Sequence, residues 1–152
     1  MNPTLYQASL RDNIYGKNII IVEPSNIYEA ILEDNVFIGP FCEVQKGVTI
    51  GKNTRIQSHT FICELVSIGN DCFIGHGVMF INDLFEDGKP AGDSNKWRKT
   101  IIENNVSIGS NATILPVQIC KNVVIGAGSV VTKDITESGI YAGNPAKFIR
   151  SF

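Results

Sequence analysis

Two histidines and an adjacent asparagine–aspartate pair are the residues of this sequence best suited to chemistry. His59 and His76 are its only histidines. An unperturbed imidazole titrates at about pH 6.5 and can act as a base near neutral pH. Asn82 and Asp83 stand a few residues further on. The amide of Asn82 could orient reacting groups, and the negative charge of Asp83 would favour a cationic amine.

A repeat with a period of six residues must position these side chains. Its first position holds a large aliphatic or aromatic residue, and a position four residues later holds a small or β-branched one. The first series is Leu32, Ile38, Val44, Ile50, Ile56, Ile62, Ile68, Ile74 and Phe80, and the second is Val36, Cys42, Val48, Thr54, Thr60, Val66, Cys72 and Val78. The pattern resumes at Ile102, Ile108 and Ile114, and again at Ile119, Ile125 and Val131.

This period predicts a parallel β-helix. A helix repeats its apolar face every 3.6 residues, and a simple strand alternates every second residue, so neither explains a period of six. A short strand followed by a sharp turn does, and three of them make one triangular coil of about 18 residues. Pairs such as Asp34-Asn35 and Lys52-Asn53 supply turns that tolerate a positive φ. We therefore expect an all-β fold with residues 1–152 in a single domain.

Composition and charge exclude several other classes of protein. The 152 residues are 43% hydrophobic and 18% charged, with a net charge of −2, which fits one globular domain and not a basic nucleic-acid binder. No apolar run approaches the roughly 18 residues that span a bilayer. The N-terminus lacks the pattern of a signal peptide, and the four cysteines form no C-x-x-C pair. These features predict a cytoplasmic protein with reduced thiols.

The repeat is interrupted where it bears most on function. Residues 81–101 form one long inserted loop that contains Phe85 and Trp97, and long insertions in compact repeats are usually functional. After the last hexads, residues 136–152 are expected to form a short C-terminal tail, which leaves the coil from Gly139 onward.

Coil length places the histidines near one corner. With about 18 residues per coil, His59 lies under Gly77 and His76 lies over Ser58. This corner is expected to lead straight into Asn82, so that histidines and insertion converge.

Five segments of the sequence carry a resemblance to a known superfamily. They are residues 57–63, 73–83, 107–116, 126–134 and 142–147. Together they resemble the hexapeptide-repeat acyltransferases, whose β-helix is left-handed. The tetrad Phe80-Ile81-Asn82-Asp83 followed by a long loop is the more specific signal. It is most similar to the N-acetyltransferases of nucleotide-linked 3-amino-3,6-dideoxyhexoses, including the transferase half of bifunctional ketoisomerase–transferases.

The resemblance implies an activity, a co-substrate and an assembly. It implies acetyl transfer from acetyl-CoA to the 3-amino group of a dTDP-linked 3-amino-3,6-dideoxyhexose, for O-antigen or S-layer synthesis, without a metal. It also implies a homotrimer with active sites in the clefts between subunits. The resemblance places Asn82 among the catalytic residues and Ser110, Ala127 and Gly128 along the coenzyme. Residue chemistry and position add His59 and His76 as catalytic, with His59 ahead of His76. They also add Asp83, Phe85 and Trp97 for the substrate, and Lys133, Lys147 and Arg150 for the coenzyme.

Other interpretations remain open at this stage. The acceptor could instead be a UDP-linked amino sugar, or a hydroxyl of a sugar or antibiotic. A non-catalytic β-helix could serve as a trimeric scaffold. A carbonic anhydrase of this fold needs three histidines for zinc, whereas this chain has two. The histidines could also be plain corner residues, Asp83 a loop cap, and the basic residues a solvated tail.

Overall fold

The fold is a stack of short parallel strands wound into a triangular coil. The computed structural model describes residues 3–4 and 9–152. Successive strands join three sheets in a fixed order, and each pairs in parallel with its counterparts in the neighbouring coils. Among the strands of the described residues, the last alone pairs antiparallel. The result is the parallel β-helix that the repeat predicted, with the left hand that the resemblance implied.

The strands are distributed over the sheets as follows. Sheet 1 contains β1 (Leu10–Arg11), β4 (Asn26–Tyr28), β7 (Glu43–Val44), β10 (Phe61–Ile62), β13 (Met79–Phe80), β16 (Thr113–Ile114) and β19 (Val130–Val131). Sheet 2 contains β2 (Ile14–Tyr15), β5 (Ile31–Leu32), β8 (Thr49–Ile50), β11 (Val66–Ile68), β14 (Thr100–Ile102) and β17 (Gln118–Ile119). Sheet 3 contains β3 (Ile20–Ile21), β6 (Phe37–Ile38), β9 (Arg55–Ile56), β12 (Phe73–Ile74), β15 (Ser107–Ile108), β18 (Val123–Ile125), β20 (Gly139–Ala142) and β21 (Lys147–Arg150). A single turn of 3₁₀ helix, Ser94–Lys96, lies in the insertion.

Both apolar series of the repeat point into the coil. Every member from Leu32 to Phe80 and from Val36 to Val78 is at most 3% exposed. Burying one such aliphatic side chain contributes about 1.5–3 kcal/mol to folding. The hydrophobic driving force of the fold is therefore this continuous interior column.

The corner between sheets 2 and 3, here called the asparagine corner, is held by a ladder of side chains. Its positive-φ residues are Asn18, Asn35, Asn53, Asp71, Asn105 and Asn122. The amide nitrogen of Asn35 donates to Oδ1 of Asn53 at 2.9 Å, and that of Asn53 donates to Oδ1 of Asp71 at 2.9 Å. A carboxylate can only accept, so the ladder ends at Asp71.

The other two corners carry the residues of functional interest. The histidine corner joins sheet 3 to sheet 1 through the turns Pro40–Phe41, Ser58–His59, His76–Gly77, Ser110–Asn111 and Ala127–Gly128. The insertion corner joins sheet 1 to sheet 2 through Lys46–Gly47, Glu64–Leu65, the insertion at 81–99, and Leu115–Pro116.

The C-terminal segment stays in the coil longer than expected. Strand β20 pairs in parallel with β18, and the N–H of Gly126 donates to the carbonyl of Tyr141 at 2.8 Å. The chain leaves the coil only after Ala142 and folds back as β21. Departure at Gly139 was therefore a wrong expectation, because main-chain pairing continues where the side-chain pattern has faded.

Two predictions from the sequence concern the whole chain, whereas the structure describes only part of it. Residues 1–2 and 5–8 belong to the predicted single domain but lie outside the described residues, so the single domain stays a prediction. Over the described part of the chain, no helix has the length and apolar character needed to cross a membrane.

The asparagine ladder generates a pH-dependent prediction. Replacing Asn53 by Asp removes the donor to Asp71 and places two carboxylates in contact, which we expect to destabilise the fold by about 1–2 kcal/mol at pH 7. The repulsion raises the pKa of the introduced carboxyl above its usual value of about 4, so the deficit should shrink as the pH falls toward 4. Asn53→Gly is the control, since it keeps the positive φ, removes the donor to Asp71 together with the acceptor for Asn35, and adds no charge. Urea unfolding across this pH range measures both variants, and a pH-independent deficit for Asn53→Asp would contradict the ladder.

Thiol reactivity offers a second check of the fold. Cys42, Cys63 and Cys72 are buried, and Cys120 is half-buried. Burial raises the pKa of the Cys63 thiol to about 12, so little thiolate forms there at neutral pH. We expect maleimide to label Cys120 first in the native protein and the buried three only after denaturation, as followed by mass spectrometry. Cys120→Ser should remove the early labelling, and labelling of Cys63 at the rate of Cys120 would contradict the packing.

Candidate active site

The histidine corner places both imidazoles at the surface. His59 is exposed and lies in the left-handed region, with φ 64°. The N–H of Gly77 donates to the carbonyl of Ser58 at 3.0 Å, so these turns are direct neighbours in the stack, as the coil length predicted. The ring of Phe41, one coil earlier, stacks on the His59 imidazole with centroids 5.0 Å apart and planes 16° apart.

Three residues predicted to contact the coenzyme continue the same corner. Ser110 follows His76 in the column, and the N–H of Gly128 donates to the carbonyl of Ser110 at 2.8 Å. Ala127 and Gly128 are exposed, and no atom lies within 4 Å of where a Cβ of Gly128 would stand. Small side chains thus leave an open edge that begins one coil beyond the histidines.

The predicted phosphate-binding cations lie in two places. Lys147 starts β21, directly after a turn in which the N–H of Ala146 donates to the carbonyl of Val130 at 2.8 Å. This puts Lys147 close to the end of the histidine corner, and Arg150 lies on the same strand. Lys133 follows β19 and therefore lies across sheet 1, on the side of the insertion corner. All three side chains are exposed.

Asn82 closes the base of the insertion. Its Nδ2 donates to the carbonyl of Glu64 at 3.2 Å, and its own carbonyl accepts from the N–H of Arg98 at 2.9 Å. Because a side-chain amide carries two N–H groups, one remains for a ligand when the other is held by Glu64. The side chain is half-buried.

Asp83 organises the loop that follows. One carboxylate oxygen accepts from the N–H of Phe85 at 2.9 Å, and the other accepts from the N–H of Ala91 at 2.7 Å. This arrangement is that of the loop cap considered from the sequence. A substrate amine would share these oxygens with two main-chain donors.

The two aromatic residues of the loop differ in exposure. Phe85 is 55% exposed, whereas Trp97 is half-buried and follows the 3₁₀ turn. Ion pairs brace the loop: Arg98 Nε lies 3.0 Å from a carboxylate oxygen of Glu86, and Lys96 pairs with Asp87. Both ion pairs are solvent-exposed, so each adds little to stability.

Within a single chain, the two histidines and Asn82 lie at different corners of the coil. His76 precedes β13 at the histidine corner, and Asn82 follows β13 at the insertion corner. The run of chain between them spans on the order of 15–20 Å. The expectation that the histidine corner leads straight into Asn82 was wrong, because a full strand of sheet 1 separates them.

Phe41 is a candidate that the sequence reasoning missed. It stands 18 residues before His59, so stepping back one coil from that histidine would have found it. Glu43 lies on the neighbouring strand of sheet 1, and Glu64 lies at the insertion corner. Burial, followed by the nearby Glu43 and Glu64, raises the pKa of the Tyr28 phenol.

Within the described residues, no three His, Cys, Asp or Glu side chains are grouped as a metal site requires.

Family models match most of the coil. Residues 29–64 match the bacterial transferase hexapeptide (six repeats), and residues 65–79 and 99–133 match the hexapeptide repeat of succinyl-transferase. The gap between the last two ranges coincides with the insertion.

A curated relative and two solved structures are similar to this chain. The bifunctional protein GlmU of Thermosipho africanus is 32% identical over 158 residues, which cover 92% of this chain and 33% of GlmU. A mutant of AntD, an N-acyltransferase from Bacillus cereus, in complex with dTDP and coenzyme A, superposes with a TM-score of 0.80 at 27% identity, over 92% of this chain and 83% of AntD. A hexapeptide-repeat-containing acetyltransferase from Vibrio cholerae, complexed with acetyl coenzyme A, superposes with a TM-score of 0.68 at 25% identity, over 81% of this chain and 70% of that chain.

These likenesses differ in how much of each protein they cover. This chain spans about a third of the length of the curated relatives it matches, whereas it covers most of the two solved chains. The matched repeats, residues 29–79 and 99–133, lie on both sides of the insertion. The chain therefore belongs to the hexapeptide-repeat family of bacterial transferases.

Proposed function

We propose that this chain transfers the acetyl group of acetyl-CoA to the 3-amino group of a dTDP-linked 3-amino-3,6-dideoxyhexose, in the cytoplasm, for surface-glycan synthesis. The observation that carries the proposal is the histidine corner. Its two exposed imidazoles continue into an open edge of small residues, in a fold similar to that of AntD in complex with dTDP and coenzyme A.

The reaction joins an amine nitrogen to a thioester carbon. The neutral amine attacks the carbonyl carbon, the C–N bond forms, the C–S bond breaks, and the sulfur leaves as a thiolate. The amine gives up one proton, which His59 or His76 accepts or which passes to the leaving thiolate. The free N–H of Asn82 would hydrogen-bond the oxygen on which negative charge develops.

The open edge suits the coenzyme. Pantetheine is a long, mostly apolar arm, and it can lie against backbone only where side chains are small. Ser110, Ala127 and Gly128 provide such a path, and Lys147 and Arg150 stand near its end, where they would meet phosphates. This order brings the thioester toward His76 from the C-terminal side of the coil.

The separation of the histidines from Asn82 supports an active site shared between subunits. One chain keeps them at opposite ends of β13. In a homotrimer, the histidine corner of one subunit can face the insertion corner of the next, and rotation symmetry repeats this contact three times. The cleft between subunits would then contain every proposed catalytic group.

An acceptor panel tests the proposed activity. We expect release of coenzyme A thiol when the purified protein is given acetyl-CoA and a dTDP-linked 3-amino-3,6-dideoxyhexose. UDP-linked amino sugars and hydroxyl acceptors serve as the competing substrates. Mass spectrometry of the sugar product verifies that acetyl is on nitrogen. No thiol release with any amino sugar would overturn the proposal and leave the trimeric scaffold as the better interpretation.

Mixing two inactive variants tests the shared site. We expect His59→Ala and Asn82→Ala each to lower kcat/KM more than tenfold, about 1.4 kcal/mol in the barrier. If the two groups come from different chains, refolding equal amounts together should restore about a quarter of the sites by random assembly. Gln118→Ala, which removes an exposed amide on sheet 2, is the control for an unspecific loss of activity. Mixtures that stay as inactive as their components would show that both groups must belong to one chain.

A further inference from the structure

We propose that Phe41 is the stacking platform for the nucleobase of the acceptor, and that the groove beside it accepts a pyrimidine. The inference rests on the proposed function, since it assigns a subsite to the same nucleotide-linked acceptor. It is carried by the conformation of Phe41, by the lining of the groove, and by the place of both along the histidine corner.

The backbone of Phe41 is unusual for a bulky residue. Its φ is 59°, in the left-handed region, and its side chain is 56% exposed. A large side chain at positive φ is strained, and such strain is concentrated at functional sites. The same column of the corner holds Gly77 and Asn111, which adopt this conformation at low cost. The turn itself therefore does not require an aromatic ring.

The groove beside Phe41 has the size of a ring. It is lined by Pro24, Ser25, Asn26, Phe41, Cys42 and Glu43, and its volume is about 280 Å³. Pockets for whole small-molecule ligands run from about 300 to 1,000 Å³. The groove thus suits one part of a nucleotide sugar. The imidazole of His59 stacks on the Phe41 ring from the following coil, whereas residues of the preceding coil line the groove.

The polar groups of the groove match the edge of a pyrimidine imide. Asn26 and Glu43 are direct register partners on sheet 1. The carboxylate of Glu43 accepts from Nε2 of Gln45 at 3.0 Å and has further acceptor positions. The Oδ1 of Asn26 accepts from Arg11 at 2.9 Å, which turns its amide nitrogen into the available donor. An imide N–H would donate to Glu43, and a flanking carbonyl would accept from Asn26.

The groove also lies at the end of the histidine corner that is opposite the proposed coenzyme path. Neighbouring coils are about 4.8 Å apart, so Phe41, His59 and Gly77 follow one another at that spacing. A base on Phe41 puts the diphosphate over His59 and the sugar near His76. The acetyl group arrives from the opposite end, along Ser110. Base and reacting amine are then far apart, so loss of stacking should weaken binding with little effect on the chemical step.

Nucleotide titration tests the subsite. The variant Phe41→Asn removes the ring and keeps a residue that this corner already accepts at Asn111. We expect its Kd for dTDP to rise at least tenfold by calorimetry, whereas Phe41→Tyr should stay within about threefold of the wild type, because stacking needs only the ring. Phe73→Ala, an equally apolar exposed aromatic on sheet 3, is the control and should bind dTDP normally. Wild-type protein should bind dTDP and UDP more tightly than GDP. An unchanged Kd in Phe41→Asn, or a preference for GDP, overturns the proposal.

Kinetics separate a binding role from a structural one. Phe41→Asn should raise KM for the nucleotide-linked acceptor and leave kcat/KM for the same amino sugar without its nucleotide unchanged. An equal loss with both acceptors would mean that the ring only holds His59, and would overturn the subsite. Acetyl transfer by Phe41→Asn at the wild-type KM would defeat the subsite and leave the proposed function standing. If dTDP binding depends on the ring but no acceptor is acetylated, the subsite would stand and the proposed function would be overturned.

Discussion

Most turns of the coil contain a residue at positive φ, the turns at Pro24 and Pro116 being exceptions, and this requirement governs the rest of the structure. Strands of two residues stack in parallel only if the chain turns sharply three times per coil. For most residues the left-handed conformation is costly, and Asn, Asp and Gly are the exceptions. At the asparagine corner the requirement is met by side chains that also bond to the next coil, such as Asn35 and Asn53. There, one residue type satisfies both the turn and the stack.

The histidine corner meets the same requirement with different residues. Phe41 and His59 adopt φ values of 59° and 64°, close to those at the asparagine corner, and both are exposed. The fold would be served as well by Asn or Gly at these positions. Two rings held in a strained conformation, stacked on one another and facing solvent, are better explained by a ligand than by stability. The open turn at Ala127 and Gly128 extends this edge without adding bulk.

The repeat made the interior predictable from the sequence, because one burial rule recurs every six residues. Leu32, Ile50 and Phe80 were placed inside by position alone, and each is at most 1% exposed. Positive φ at Asn35 and Asn53 followed from residue type. Outside the repeat no such rule applies. The bonds of Asp83 to the loop backbone, and the pairing of β20 after the hexads fade, depend on contacts that no period encodes. Counting coils also placed the histidines in neighbouring columns but did not reveal that β13 separates them from Asn82.

In the proposed arrangement, acceptor and coenzyme lie end to end along the histidine corner, with the base at Phe41 and the pantetheine arm along Ser110 to Gly128. A crystal structure of the protein with dTDP and coenzyme A bound would show whether they do. We expect density for the thymine ring against Phe41, the diphosphate near His59, and the coenzyme sulfur close to His76 in a cleft between two subunits. Ligand density at the asparagine corner, or a coenzyme that never approaches His76, would exclude this arrangement.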